Sequence, residues 1–205
     1  ERETYLGPVV HDFEGNGDFS VIFGTGGETL SGGLWRATLA DVMNEDLSEA
    51  TLLFGNSTKG AIGSPSLADL NNDNIHDIIV HTYAGSIVAI DGSDNSILWQ
   101  HDFPNQETYS TPAIGRFTND FTPDVFTVSA VGQAPSFTGF KAMMIDGATG
   151  EIVQEYNLSG WNLISAIAFD YDNDGFDEAL ISTNDIGAFF KNQLLIYDLN
   201  DNETI

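Results

Sequence analysis

The chain has 205 residues, of which 41% are hydrophobic, and this is enough apolar material to bury a core. Its 31 acidic and 6 basic residues give a net charge of −25, which disfavours nucleic acid and anionic lipid as partners and favours cations. The absence of cysteine excludes disulfides, thiolate nucleophiles and cysteine-bound metals, and no apolar run is long enough to predict insertion into a membrane.

The predicted elements are short strands joined by tight turns. The chain contains 21 glycines and 14 phenylalanines, and its short Val, Ile and Phe runs are separated by Asp, Asn and Gly. This pattern is typical of β-structure. One segment, 39–50, is a candidate helix, and it can equally form an irregular loop. The predicted fold class is therefore all-β.

One sequence unit recurs along the chain. Segments 3–27 and 107–130 share an opening Glu-Thr-Tyr triplet, a proline shortly after it and an apolar run after a turn. Segments 63–85 and 164–187 fit the same frame, the last without the proline. The repeat length of roughly fifty residues is typical of four-stranded β-propeller blades. The predicted units are about 3–58, 59–106, 107–160 and 161–205.

The second half of each unit predicts an outer hairpin. Segments 85–100 and 140–156 both read as strand, turn and strand, with Asn95 and Gly150 where the turn needs a positive φ. A third copy begins at 192 and stops before its last strand. We therefore expect four antiparallel four-stranded blades, the last short of its outer strand, forming an arc of a larger propeller or an open assembly.

A polar loop of nine residues lies between the first two predicted strands of each unit. We number these segments loop 1 (12–20), loop 2 (69–77), loop 3 (116–124) and loop 4 (170–178). Calcium binds six to eight oxygens at about 2.3–2.6 Å, so a turn with oxygen donors at positions 1, 3, 5, 7 and 9 can wrap one ion.

Loops 2 and 4 carry complete ligand sets of this kind. In loop 4 the predicted ligands are Asp170, Asp172, Asp174 and Glu178 with the carbonyl of Phe176. In loop 2 they are Asp69, Asn71, Asp73 and Asp77 with the carbonyl of Ile75. Closely packed like charges destabilise a fold by an order of kilocalories per mole unless a cation offsets them. The sequence therefore predicts bound calcium.

Loops 1 and 3 depart from that pattern. Loop 1 offers Asp12, Glu14 and Asn16, a set with fewer charges whose metal binding the sequence leaves open. In loop 3, Arg116 stands at the first position, and a fixed positive charge there should exclude calcium. We expect Arg116 to form a salt bridge to Asp120 or Asp124 in place of the ion.

Two other structures could explain the acidic loops. Asp, Asn and Gly are common turn formers, but two complete ligand sets at the same place in a repeat favour metal binding. An EF-hand needs a glutamate at its twelfth position and helices on both sides. Val80 and Ile181 occupy that position here, each within an apolar strand, so the EF-hand is excluded.

These loops resemble those of the FG-GAP and VCBS repeat family, whose β-propeller blades carry a calcium loop between their first two strands. The outer hairpins are similar to those of quinoprotein-type propellers. The resemblance covers essentially the whole chain, and it implies bound calcium and an extracellular or cell-surface setting. It implies no single activity.

Other candidate residues favour packing or solvation over chemistry. The four histidines show no zinc-binding spacing, and His11 and His76 lie beside or inside acidic turns, where solvation is the favoured role. Trp99 stands where quinoprotein-like blades carry a tryptophan that docks one blade on the next. For Trp35 and Trp161 we favour burial over exposed sugar-stacking platforms.

Three Asn-X-Ser/Thr motifs, at Asn56, Asn157 and Asn202, fall in predicted loops or outer turns and are candidate glycosylation sites. The function favoured by the sequence is a secreted or cell-surface calcium-binding scaffold that binds protein or carbohydrate and is not an enzyme. Further blades or other copies of the chain are expected to cover its ends. The alternatives are a fragment of a propeller enzyme, such as a quinoprotein-like dehydrogenase or a polysaccharide lyase, and a subunit of a glycosylated extracellular filament.

Overall fold

A computed structural model describes residues 7–56, 58–162, 164–184 and 192–199. Four antiparallel sheets follow one another along the chain, which confirms the all-β prediction, and each is made of strands that are consecutive in sequence. Sheet 1 contains β1 (Val9–His11), β2 (Ser20–Gly24), β3 (Gly32–Thr38) and β4 (Thr51–Asn56). Sheet 2 contains β5 (Ser66–Ala68), β6 (Asp77–His81), β7 (Ser86–Ile90) and β8 (Ile97–Asp102).

Sheets 3 and 4 differ from this four-stranded form. Sheet 3 contains β9 (Gln106–Glu107), β10 (Ala113–Gly115), β11 (Asp124–Gln133), β12 (Ser136–Ile145) and β13 (Ile152–Leu158). Both β9 and β10 pair with β11, so the first strand of sheet 3 is split in two. Pro112, which has no amide hydrogen to donate to a ladder, lies in the gap. Sheet 4 has three described strands, β14 (Ile167–Phe169), β15 (Glu178–Asn184) and β16 (Asn192–Tyr197).

The sheets pack face to face in chain order around three apolar clusters. Strand β6 shows the pattern, because all of its residues are buried. Ile78 and Val80 pack in the cluster shared with sheet 1, whereas Ile79 packs in the cluster shared with sheet 3. A strand buried on both faces is expected to be apolar at successive positions, as this one is. The third cluster joins sheets 3 and 4.

Trp99 docks sheet 2 on sheet 3. Its side chain is buried, and its indole nitrogen donates a 2.7 Å hydrogen bond to the carbonyl of Gly147 in the β12–β13 turn. A Cβ on Gly150 would lie 2.6 Å from the indole ring, so the turn also needs glycine there for close approach. The predicted docking role of Trp99 is confirmed.

The turns between strands follow the predicted chemistry. Asn95 and Gly150 adopt positive φ values of 65° and 74° in the two outer hairpins. The candidate helix is a single turn, α1 (Leu39–Met43), and the Thr38 hydroxyl caps it by accepting the Asp41 amide. Val80 and Ile181 lie within strands, as the argument against an EF-hand requires.

The candidate glycosylation sites do not all lie where the sequence predicted. Asn56 is the last residue of β4, and Asn157 lies inside β13 with an exposed side chain. Both are therefore in outer strands rather than loops, because the strands extend further than their turn signals indicated. Asn202 lies outside the described residues.

Candidate metal centre

Loop 4 brings three carboxylates together. Asp170, Asp172 and Asp174 each offer one oxygen, and these oxygens all lie within 4.8 Å of one another. The side chains are exposed, and the loop leaves β14 and enters β15, so it stands at one end of sheet 4. It is the one group of three or more acidic or histidine ligands among the residues that the structure describes.

The loop backbone holds these side chains in place. The carboxylate of Asp170 accepts hydrogen bonds from the amides of Asn173, at 2.7 Å, and Gly175, at 3.1 Å. Asp172 accepts the amide of Asp174 at 3.0 Å. Asn173 and Gly175 adopt positive φ values of 65° and 92°, which reverse the chain so that alternate side chains converge.

Glu178, the fourth predicted carboxylate of loop 4, lies outside this trio. It is buried at the start of β15, and it accepts the amide of Tyr171 at 2.5 Å. Burial, followed by the charge of nearby acidic groups, raises the pKa of Glu178 above its ordinary value. Phe176, whose carbonyl was the fifth predicted donor, is half-buried and donates its amide to Asp174 at 2.8 Å.

Loop 2 has the same backbone arrangement. Asp69 accepts the amides of Asp73 and Asn74 at 3.2 and 2.9 Å, and Asn74 has a φ of 68°. Asp73 accepts the amide of Ile75 at 2.7 Å, as Asp174 does that of Phe176. The side-chain amide of Asn71 donates to Asp91 at 3.0 Å, in the outer hairpin of the same sheet.

Asp77 occupies the ninth position of loop 2 and behaves as Glu178 does. It is fully buried, and it accepts the amides of Leu70 at 2.7 Å and Gly92 at 3.0 Å. Burial raises its pKa. The ninth-position acid therefore joins the start of its loop to the second strand of the sheet, a role that the sequence reasoning missed. The sequence feature that could have indicated this role is the position of the acid at the first residue of a buried strand.

Loop 1 keeps the loop shape with weaker ligands. Asp12 accepts the amides of Asn16 at 3.2 Å and Gly17 at 2.7 Å, and these hydrogen bonds, that of Gly17 most strongly, lower its pKa. The Asn16 side chain donates to Glu14 at 3.0 Å. At the ninth position, Ser20 accepts a hydrogen bond from Arg36 at 3.1 Å.

In loop 3, the predicted salt bridge from Arg116 to Asp120 or Asp124 is wrong. The guanidinium donates instead to the backbone carbonyls of Asp120, at 3.1 Å, and of Gly175 in loop 4, at 3.2 Å. It also lies over the ring of Phe176, 4.7 Å from its centroid. Asp124 is out of reach for a physical reason: it is buried and accepts backbone amides, whereas the guanidinium stays at the surface.

A second polar cluster lies at the opposite end of the sheets. Tyr83 stands in the turn between the second and third strands of sheet 2, which is the end away from loop 2. Buried Glu107 forms a salt bridge with Lys59 and accepts hydrogen bonds from the Tyr83 hydroxyl and the Ala134 amide, both at 2.8 Å. Tyr109 donates to Glu28 of sheet 1. Glu107 and Tyr109 belong to the Glu-Thr-Tyr triplet that opens one repeat unit, whereas their partners Glu28, Lys59 and Tyr83 lie far from them in sequence.

Trp35 and Trp161 are both half-buried. The Trp35 indole donates to the Thr25 hydroxyl at 3.1 Å, and Trp161 packs against Phe137 and Phe140. Trp161 therefore packs among aromatic rings, as the sequence favoured, whereas the contact shown for Trp35 is its hydrogen bond to Thr25.

No family model matches the chain, and no curated protein matches it either. The resemblance to FG-GAP and VCBS repeats therefore stays a prediction. Among solved structures, a europium-containing methanol dehydrogenase matches at a TM-score of 0.45 and 14% identity. The match covers 78% of this chain and 25% of the dehydrogenase, so the chain spans about a quarter of that protein's length. None of the helices described here could cross a membrane.

Proposed function

We propose that the chain is a calcium-binding, propeller-like scaffold that presents a surface for a protein or carbohydrate ligand and catalyses no reaction itself. The observation that carries the proposal is the convergence of Asp170, Asp172 and Asp174 within 4.8 Å. Two donors of one calcium ion lie at most about 5 Å apart, because each bond is about 2.3–2.6 Å long. The trio therefore fits one coordination sphere, and hard carboxylate oxygens are the donors that calcium prefers.

Calcium would stabilise the scaffold by offsetting the charge of the loops. Without a cation, the three exposed carboxylates of loop 4 repel one another at short range. An ion that binds only the folded chain adds its binding free energy to the stability of the fold. Loop 2 would act in the same way through Asp69, Asn71 and Asp73, which accept amides at the same loop positions as their counterparts in loop 4 do.

The ligand surface that we propose is the end of the sheets opposite the loops. There, buried Tyr83 donates to buried Glu107 and packs against half-buried Tyr109, whose hydroxyl donates to half-buried Glu28, so the accessible groups rest on a buried framework. Aromatic rings and carboxylates are groups that recognise sugars and protein surfaces. An extracellular or cell-surface location, with glycans on Asn56 and Asn157, belongs to the same proposal.

Native mass spectrometry, with and without a chelator, tests the proposal. In millimolar calcium we expect mass increments of one ion for loop 4 and one for loop 2, and chelation should remove them. An Asp172→Ala variant, which removes the oxygen donor altogether, should lose one increment while retaining the other. A chain that carries no calcium under these conditions would contradict the proposed function.

A further inference from the structure

Two histidines that are distant in sequence meet at the surface between sheets 1 and 2. His11 ends β1, and His76 is the eighth residue of loop 2, directly before β6. Although 65 positions separate them, the Nδ1 atom of His76 lies 3.0 Å from the Nε2 atom of His11. Their ring planes make an angle of 58°. Sequence spacing could not reveal this pair, because packing of the two sheets creates it.

The histidine pair opens onto a cleft of about 360 Å³ between loops 1 and 2. Asp12 and Glu14 line one side of this cleft, and Asn74 and Ile75 line the other. His76 is exposed and His11 is half-buried, so both rings are accessible to an ion from solution. The acidic lining, within a chain of net charge −25, attracts cations to this place.

We propose that His11 and His76 together bind one divalent transition-metal ion of the type that imidazole prefers, such as Ni²⁺ or Cu²⁺. When His11 carries its proton on Nδ1 and His76 carries its proton on Nε2, the two facing nitrogens both present lone pairs. With metal–nitrogen bonds of about 2.0–2.1 Å, a separation of 3.0 Å gives a ligand–metal–ligand angle of about 91–97°. This angle suits neighbouring positions of a tetragonal Ni²⁺ or Cu²⁺ ion, whereas tetrahedral Zn²⁺ needs a wider pair.

The remaining coordination positions are left to water. No carboxylate among the described residues completes a three-residue ligand group with the two rings. The nearby acids therefore contribute negative charge to the cleft, and the two nitrogens supply the selectivity.

This site is chemically separate from the carboxylate loops. Calcium is a hard cation that takes oxygen donors, whereas nitrogen donors favour the later transition metals. The histidine ligands also come from two sheets, so a bound ion would join sheet 1 to sheet 2. Saturating calcium should therefore fill the loops and leave the histidine pair available.

The competing explanation is a direct hydrogen bond between two neutral rings, in which one nitrogen donates and the other accepts. Both explanations fit a separation of 3.0 Å. Titration with metal separates them, because a hydrogen-bonded pair with no affinity for the ion gives no saturable binding.

The experiment is an isothermal titration calorimetry measurement in which Ni²⁺ is added to untagged protein in excess calcium. We expect one Ni²⁺ per chain, and we expect the His11→Gln and His76→Gln variants each to bind at least about tenfold more weakly. His101→Gln is the matched control: His101 is half-buried on β8 with a ring nitrogen near the Gly150 carbonyl, and glutamine can still donate there. This control should bind Ni²⁺ as the parent does.

Electron paramagnetic resonance of bound Cu²⁺ gives a second measurement. The parent should show coupling to two imidazole nitrogens, and the His76→Gln variant should show coupling to one. Because His76 is exposed, this variant should fold, and its melting temperature in calcium verifies this. Absence of saturable Ni²⁺ binding, or binding that both histidine variants retain, would overturn the proposal. A loss caused by Asp172→Ala would also overturn it, since it would assign the ion to loop 4.

Discussion

Loops 3 and 4 occupy the same place in adjacent sheets, but they carry opposite charges at their first position. Each ends with a buried acid that accepts backbone amides from the start of its own loop: Asp124 accepts those of Phe117 and Thr118, and Glu178 accepts that of Tyr171. At the first position, however, loop 3 has Arg116 where loop 4 has Asp170. The loop shape therefore does not depend on which charge stands at its first position.

This comparison separates two functions within one motif. The ninth-position acid fixes the loop by hydrogen bonds inside the protein, and the surface carboxylates of loop 4 form a separate, outward-facing group. In loop 3 the positive charge is part of the chain, and it reaches the backbone of loop 4 through the Gly175 carbonyl. We infer that only loop 4 of this pair should respond to calcium.

The largest expected effect comes from removing the buried acid of loop 3. Asp124 is inaccessible to solvent and accepts the amides of Phe117, Thr118 and Gly147. An Asp124→Ala variant leaves these donors without a partner, and each unsatisfied buried group costs about 1–3 kcal/mol. We expect the free energy of unfolding to fall by about 3 kcal/mol or more. Chemical denaturation in calcium and in EDTA should give the same loss of unfolding free energy. A loss confined to calcium would contradict the claim that the buried acid stabilises loop 3 without an ion.

The next effect is specific to calcium and to loop 4. An Asp172→Ala variant removes one oxygen donor of the trio, so it should lose the stabilisation by bound ion, which is about 2.7 kcal/mol when calcium is at a hundredfold its dissociation constant. In EDTA the variant should melt close to the parent. Melting temperatures with and without calcium measure the difference.

Asp120→Ala in loop 3 is the matched control for this substitution. Asp120 accepts the amide of Thr122 two positions on, as Asp172 accepts that of Asp174. Asp120 occupies the fifth position of loop 3, as Asp174 does in loop 4, but in loop 3 the Arg116 side chain donates to the Asp120 carbonyl. We expect no change in the calcium response of the Asp120→Ala variant. If both variants lose the response equally, loop 3 binds calcium too, and the contrast between the loops is wrong.

A smaller effect is expected from Arg116 itself. An Arg116→Gln variant loses the contact of the guanidinium with the Phe176 ring and weakens its hydrogen bonds to Asp120 and Gly175. Because the side chain is partly exposed, the loss should be about 1 kcal/mol, equal in calcium and in EDTA. Denaturant titration of both forms measures it, and a variant as stable as the parent would show that this link between loops is without energetic effect.

The sequence predicted the parts of the fold that depend on local patterns. Apolar runs separated by Asp, Asn and Gly located the strands, and positive φ values appear at Asn95 and Gly150 as their hairpins required. Proline also had a readable effect, since Pro112 separates β9 from β10, but the split strand itself was not foreseen. The local turn signals also placed Asn157 in a loop, whereas pairing with β12 carries β13 past it.

Contacts made by packing between sheets were beyond the sequence. The loop motif indicated that side chains at alternate positions point inward, and so it predicted that Asp170, Asp172 and Asp174 lie close together. It could not show that Glu178 accepts a backbone amide at a buried position, because ligand and hydrogen-bond acceptor are the same residue type. The meeting of His11 and His76 depends on how sheet 1 stacks on sheet 2, which no spacing within one unit encodes.

Acidification offers the smallest and most specific test of the buried acid in loop 3. Burial raises the pKa of Asp124 above the ordinary value of 3.8, more than its amide hydrogen bonds lower it. Between 3.8 and the raised value, the folded chain therefore binds more protons at this site than the unfolded chain does. This contribution of Asp124 to stability is fully present below the ordinary value and is lost as the pH rises through the raised one.

Asp124→Asn removes this titration while keeping a side chain of similar size. The difference in unfolding free energy between parent and variant, measured in EDTA, should therefore grow as the pH is lowered from 7 towards 4. Measuring in EDTA matters because protons also compete with calcium for the carboxylates of loop 4, and that competition acts in the opposite direction. A difference that shrinks on acidification would mean that Asp124 is held as a strongly stabilised carboxylate. The amides of Phe117, Thr118 and Gly147 would then outweigh its burial, and loop 3 would depend on a negative charge just as loop 4 does.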